Sequence, residues 1–243
     1  MQEVWQNFLK NFLLIGKAAF PSIIFLGKIK KTIYKRRNIV YNIRKGNPCA
    51  VPHILHQMKG CYIMKKADIE IARKQAAEVF AKAGIVMNPD ELANIEVADF
   101  GLNDIYHTGL LLVTYVNTDR YCGKEMVLLP GMTCPEHIHA PLPEKNYIGK
   151  QETFRCRYGK VYLYVEGEPT PNHHCHPVKE DTCYTVFHEI VLNPGEQYTI
   201  APNTRHWFST DTESVISEFS SPSFDELDIF TDKDIQRIPT IDD

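Results

Sequence analysis

His137 and His139 lie two apart in Cys-Pro-Glu-His-Ile-His, a spacing with a definite consequence in a β-strand. Side chains two apart leave the same face, so both imidazoles can reach one point while Ile138 faces away. Neutral imidazole is a ligand for Zn, Mn, Fe, Co or Ni. Further on, Glu152 offers a carboxylate oxygen at the start of a strand-like segment, with Lys150 two positions before it. His206 follows the turn Pro202-Asn-Thr-Arg and enters a late strand, at a separation where a barrel chain returns to the same rim. Three imidazoles and one carboxylate make a donor set for a single cation.

Two other groups bear chemistry. In Val215-Ile-Ser-Glu-Phe, alternation places Ile216 and Glu218 on one face and Ser217 and Phe219 on the other. A carboxylate that shares a face with Ile points inward, where burial without a partner is costly. The run His173-His-Cys-His176 carries more ligand atoms, but it falls in a Pro-rich stretch, residues 169–177. No regular element is predicted there to fix them, so the run is read as no metal site. Tyr147, Tyr162, Tyr164, Arg205 and Trp207 are candidates for a pocket wall, although aromatic strand residues more often fill cores.

The elements that must position these groups are short. Residues 67–84 read as a helix, with Ile69, Ala72, Ala76, Phe80 and Ala83 recurring at steps of three and four and with Glu70/Lys74 and Glu78/Lys82 at i,i+4. Gly84 supplies its stop, and Asn88-Pro89-Asp90 opens a turn into a short second helix at 90–93. From residue 101 onward the texture becomes Val, Leu, Tyr, Thr and Phe between Gly, Pro, Asn and Asp. Strands are predicted at 110–116, 125–129, 133–139, 152–157, 160–165, 184–192, 196–200, 206–209 and 214–219. Nine short strands without long intervening helices predict a mainly β antiparallel barrel or sandwich carrying an N-terminal helical segment.

Composition sets the boundaries. With 44% apolar and 23% charged residues in 243, the chain is neither disordered, nor a rod, nor a polytopic membrane protein. Residues 1–63 hold eleven Lys/Arg against Glu3 alone, whereas the remaining 180 residues carry a net charge of −13. The acidic body argues against a nucleic-acid groove, so its partners are predicted to be small molecules that are not polyanions. The basic leader has no clean run of ~20 apolar residues, because Lys10, Lys17, Pro21 and Lys28 interrupt it. A single anchor with a basic flank is the lesser reading. The preferred one starts the native protein at Met64, because Lys59-Gly60 is encoded by purine-rich codons, with three codons between them and Met64-Lys-Lys. The domains are therefore read as a leader at 1–63 outside the native fold, a helical segment at 64–100 packing on the barrel, and a barrel with a C-terminal tail at 101–243. Seven cysteines, an odd set with no CxxC pair, fit reduced thiols in a cytoplasmic protein.

Taken together these residues resemble the cupin superfamily. Its first motif, G-x5-H-x-H-x(3–4)-E-x6-G, is met by Gly131, His137, His139, Glu152 and Gly159, with twelve residues, 140–151, between His139 and Glu152. Its second, G-x5-P-x-G-x2-H-x3-N, is met loosely by Gly195, Pro202 and His206. A narrower likeness is to the D-lyxose isomerase family within the cupins. Lys150-Gln-Glu152-Thr-Phe-Arg-Cys-Arg157-Tyr-Gly159 is similar to its K-x-E-D-x3-R-x-G run, with Thr153 for Asp, and Glu218-Phe-Ser-Ser-Pro-Ser-Phe-Asp225 to its G-E-V-S-S-x-N-D segment. The resemblance implies a double-stranded β-helix barrel, a metal held by His137, His139, Glu152 and His206, and Mn²⁺ as that metal, with Zn, Co, Fe and Ni as alternatives.

The same side chains suit an aldose–ketose isomerase. Interconverting a 2-hydroxy aldehyde and a ketone needs a base that moves a proton between C2 and C1 and positive charge beside the two oxygens. Glu218 is the candidate base and Lys150 the proton donor or oxygen clamp, while Arg157 and Asp225 are candidate sugar-binding residues. D-lyxose to D-xylulose is the predicted reaction, with D-mannose to D-fructose second and a homodimer as the predicted assembly. Two rivals remain at this stage: an Fe(II) dioxygenase-like cupin, and a non-catalytic sugar-binding cupin accessory to sugar uptake.

Overall fold

The computed structural model describes residues 63–238 and 240–241, with side chains from 64 to 238, together with the backbone of β1 (Lys31–Arg36) and β2 (Ile39–Arg44). The chain divides into two units, Met1–Lys59 and Gly60–Asp243. In the first, β1 and β2 pair antiparallel. The rest of the leader, including its predicted anchor stretch and most of the boundary at Met64, lies outside the described residues.

The second unit opens with β3 (Ile63–Met64) and α1 (Lys66–Lys82). Ile69, Ala72, Ala76, Val79 and Phe80 are buried at the spacing the sequence predicts, giving α1 one apolar face. The helix stops where Gly84 predicts, since Ile85 N–H donates to Phe80 O and Gly84 N–H to Ala81 O, closing the last turn. The two i,i+4 pairs are replaced. Glu70 meets Arg73 at 2.9 Å, and Lys82 reaches Glu213 at 2.6 Å. α2 (Pro89–Ala93) begins in a reciprocal cap between Asn88 and Glu91.

Eleven strands then form two antiparallel sheets. β4 (Glu96–Ala98), β5 (Leu110–Asn117), β6 (Cys122–Leu128), β8 (Glu152–Tyr158), β11 (Gln197–Ile200) and β13 (Ser214–Ser220) form one, in the order β11-β8-β13-β6-β5-β4. The other runs β10-β9-β12-β7-β14, from β7 (Thr133–Ile138), β9 (Val161–Val165), β10 (His188–Leu192), β12 (His206–Ser209) and β14 (Ile229–Phe230). One apolar core joins them, with Leu112, Met126 and Phe154 from the first sheet and Leu163 and Phe208 from the second. Phe154 meets Phe208 with ring centroids 5.0 Å apart. A two-residue parallel pairing of β3 with β15 (Thr240–Ile241) completes the strand pairs. The mainly β architecture with an N-terminal helix is therefore the one predicted. β4 and β14 are too short to leave a periodic signal.

Residues 184–187 differ from expectation. Rather than extending β10, they cross the outer face of the second sheet, where Tyr184 and Val186 pack with Tyr162, Tyr164, Cys175 and Trp207. Trp207 Nε1–H donates to Val186 O at 2.7 Å, and its ring stacks on Tyr164 at 3.7 Å. The anchor is Glu136, a carboxylate 1% exposed. It accepts hydrogen bonds from Thr185 N–H, Val186 N–H and the hydroxyls of Thr185 and Thr231. Glu136 and Trp207 thus face outward beside His137 and His206, which face inward.

Glu136→Ala strips buried amides of their acceptor, so it lowers unfolding free energy by about 3 kcal/mol in denaturant titrations. A loss under about 0.5 kcal/mol contradicts the anchoring role.

Candidate metal centre

The inward face of β7 and β12 is where the predicted ligands meet. His206 sits directly opposite His137 in the β7–β12 pairing, and the register shift beyond them falls at Pro135 and Glu136. His139 follows the end of β7, and Glu152 opens β8 in the facing sheet. Ring centroids lie 4.3 Å apart for His137 and His206, 4.8 Å for His137 and His139, and 5.4 Å for His139 and His206. One ligand atom from each imidazole falls within 4.8 Å of the others. Glu152 Oε1 lies 3.2 Å from His139 Nε2 and 3.0 Å from His206 Nε2. All four side chains are buried.

The hydrogen bonds on the far side of each ring decide which nitrogen is available. His137 Nδ1 contacts Pro135 O at 2.8 Å and His206 Nδ1 contacts Thr204 O at 2.9 Å, while His139 Nδ1 is held by the Asp228 carboxylate. A carbonyl oxygen only accepts, so the ring protons of His137 and His206 sit on Nδ1 and their Nε2 lone pairs face inward. His139 Nε2, His206 Nε2 and Glu152 Oε1 are buried and make no hydrogen bond. Lone pairs aimed at one dry point repel one another, and a divalent cation is the group that satisfies them. The residues therefore fit a metal.

The charges around this point agree. Burial, then the neighbouring imidazoles His206 and His139, holds His137 well below its ordinary pKa, so it is neutral. Burial works against charge on His139, but Glu152 and Asp228 outweigh it and lift its pKa to about 9, a field that favours a cation there. Burial opposes ionisation of Glu152 as well, yet Lys150, His139 and His206 hold its carboxyl well below the usual range.

Beside the ligand set runs a chain of alternating charge. Lys150 Nζ stands between Glu152 Oε2 at 3.0 Å and Glu218 Oε1 at 2.6 Å. Burial disfavours its ammonium, but Glu152 and Glu218 raise its pKa well above that of a free lysine, so it remains protonated. Gly149, at φ 105°, lets the chain approach: a Cβ there would sit 2.8 Å from both Asn203 N and His139 O. Ser220 Oγ–H donates to Glu218 at 2.9 Å. Lys124, opposite Glu218 in the β6–β13 pairing, is 4.0 Å from that carboxylate and donates to Asp225 at 2.6 Å. Asp225 is held below its ordinary range because Lys124 and Lys150 overcome the burial that opposes its charge.

Ligands and charge chain open on one cavity, walled on its apolar side by Phe100, Phe154, Phe208 and Phe230. Four carboxylates (Glu152, Glu218, Asp225, Asp228) and three cations (Lys124, Lys150, Arg237) line it, one formal negative charge in balance.

Of the sequence-predicted residues, His137, His139, Glu152, Lys150, Glu218 and Asp225 line this cavity, and His206 stands against its ligand atoms. Arg157 is not among the residues that line it. Glu152, Phe154 and Cys156 face inward, so alternation turns Arg157 outward, where it donates to Ser217 Oγ at 3.0 Å over a second cleft. Tyr162, Tyr164 and Trp207 fill the outer core cluster instead of the cavity wall. Sequence reasoning missed Lys124, Asp228 and Arg237. Lys124 was findable only through its pairing with Glu218, and the other two lie in a tail without periodicity.

Known proteins place the chain further. The sequence profile described as "D-lyxose isomerase" matches residues 90–243. A D-lyxose/D-mannose isomerase of Thermosediminibacter oceani is 61% identical over 183 residues, 74% of this chain and all of that one. A D-lyxose ketol-isomerase of Cohnella laeviribosi is 55% identical over 74% of this chain and 98% of its own. Among solved structures, the L-ribose isomerase of Cellulomonas parahominis superposes with a TM-score of 0.62 at 14% identity, covering 75% of this chain and 99% of that one. The L-ribose isomerase of Acinetobacter sp. DL28, solved with L-ribose, gives 0.62 at 14% over 74% and 98%. These two likenesses bear on the fold alone. By its profile match and by close relatives aligned along nearly their whole length, the chain belongs to the D-lyxose isomerase family.

Proposed function

We propose that this chain is a metal-dependent aldose–ketose isomerase that converts D-lyxose to D-xylulose, with D-mannose to D-fructose as a second reaction. The observation that carries it is the buried meeting of His139 Nε2, His206 Nε2 and Glu152 Oε1 without hydrogen-bond partners, beside the Lys150–Glu218 pair at 2.6 Å. Printed names of relatives support the substrate, since one is called a D-lyxose/D-mannose isomerase and another a D-lyxose ketol-isomerase. D-mannose repeats the D-lyxose configuration at C2, C3 and C4, so one site that reads those centres accepts both.

A divalent ion, Mn²⁺ first and Zn, Co, Fe or Ni as alternatives, held by His137, His139, Glu152 and His206, supplies positive charge beside the two reacting oxygens. Glu218 takes the proton from C2 and returns it to C1, while the C2 hydroxyl proton passes to the C1 oxygen, and together the two transfers move the carbonyl from C1 to C2. Lys150, protonated and fixed between two carboxylates, donates to the oxygen on which charge builds and recovers a proton from the C2 hydroxyl. Asp225, held by Lys124, offers an acceptor for a sugar hydroxyl. The phenylalanine wall keeps water from the carbon centres. A dioxygenase or a non-catalytic binding cupin has no use for the Lys150–Glu218 pair. The proposal extends to a cytoplasmic homodimer acting on free sugars. No helix among the described residues is long and apolar enough to cross a membrane.

Glu218→Gln lowers kcat by about 10²–10⁴-fold with metal content unchanged, read by ketose formation and elemental analysis. Retention of a near-normal rate removes Glu218 as the base. His137→Ala, in contrast, loses metal and activity together. With Mn²⁺ present, D-lyxose gives D-xylulose much faster than D-xylose does, because the C2 epimer turns its hydrogen away from a base fixed on one side. Equal rates for the two sugars contradict that placement.

A further inference from the structure

The outer face of the second sheet carries ligand atoms that the isomerase chemistry does not use. Residues 169–187 cross that face, and hydrogen bonds fix their first half as Glu136 and Trp207 fix their end. Cys175 N–H donates to Tyr164 Oη at 2.9 Å, His174 N–H to Glu189 Oε2 at 2.7 Å, and Thr170 N–H to Phe187 O at 2.9 Å. Pro177 then ends the extended run, and its carbonyl accepts from Glu180 N–H at 3.1 Å as the short helix α3 (Glu180–Cys183) begins. That turn brings Glu180 back onto the histidines.

His173 Nε2 lies 3.0 Å from Glu180 Oε1 and His176 Nδ1 lies 2.8 Å from Glu180 Oε2, with the two ring centroids 4.7 Å apart. One ligand atom from each of the three residues falls within 4.8 Å of the others. The His173 ring is set by Phe187 at 5.1 Å and Tyr164 at 5.8 Å, so its direction is fixed before any ion arrives. His174 is excluded, being held by Glu189 and stacked on Tyr162 at 4.7 Å. Cys175 is buried among the aromatics. The side chain of His176 is 65% exposed, which leaves solvent access on one side.

We infer that His173, His176 and Glu180 form a second metal site, taking a Zn²⁺-type dication on the outer face of the barrel and separate from the buried centre. Two imidazoles and one carboxylate select a borderline transition-metal ion over Mg²⁺ or Ca²⁺, and water completes the shell on the open side. The ion ties residue 173 to residue 180 across Pro177, and so clamps the segment that covers Tyr164 and Trp207. The sequence predicts no regular element to fix the Pro-rich run, and α3 supplies one that carries the Glu180 carboxylate.

Equilibrium dialysis of the intact protein against Zn²⁺, followed by elemental analysis, separates this site from the first. Wild type retains about two ions per chain, and His176→Ala and Glu180→Gln each retain about one with isomerase activity unchanged. Glu152→Gln, which disables the buried centre, also retains about one, lost when His176→Ala is added. Zn²⁺ raises Tm in Glu152→Gln but not in the double variant. Equal metal content in wild type, His176→Ala and Glu180→Gln overturns the inference and leaves the cluster a hydrogen-bonded clamp. A second ion that persists in both single variants overturns it too, as adventitious surface binding.

Discussion

Buried ligand atoms that converge on one point without hydrogen-bond partners govern this barrel. Three imidazoles present Nε2 to the same buried region as a carboxylate oxygen, because carbonyls and Asp228 already occupy the Nδ1 side of each ring. Burial takes these atoms away from bulk water, so positive charge at their centre is favourable. The raised pKa of His139 and the depressed one of Glu152 express the same demand. The Lys150 ammonium supplies part of that charge from the side, and it is the group that couples the ligand set to Glu218.

Strand alternation turns this demand into architecture. On β7 and β12 the inward residues are His137 and His206, and the outward residues next to them are Glu136 and Trp207. Each strand therefore holds the site on one face and a covering segment on the other. Gly149 and Gly159 complete the fit where strands meet loops: a Cβ at Gly159 would lie 2.1 Å from Glu213 O, so the β8–β9 turn passes there only without one. The carboxylate-rich cavity carries one formal negative charge, which a dication reverses. In the proposed isomerase, that reversal would favour the oxyanion.

What the sequence disclosed follows from which signals are local. The period of two in His137-Ile-His139 and in Ile216-Ser-Glu218 survives into the structure, as does the helical period of α1. Glu152 was identifiable from its likeness to a motif, despite the residues inserted before it. Arg157 lies outside the cavity lining because strand direction, not motif membership, decides which face a side chain takes. At that position β8 also has one residue more than β13, since Val215 pairs with Tyr158 and Ile216 with Cys156. Lys124, Asp228 and Arg237 reach the cavity through pairing and tail packing that no periodicity announces. The aromatic and β-branched run at 184–187 misled in the opposite sense, because Glu136 captures its amides before a neighbouring strand does.

The most direct test of the central claim is anomalous X-ray diffraction at the manganese edge from crystals grown with Mn²⁺. The account predicts a strong peak bonded to Nε2 of His137, His139 and His206 and to a Glu152 oxygen, at about 2.0–2.3 Å. Active crystals with no anomalous density between those four side chains contradict it.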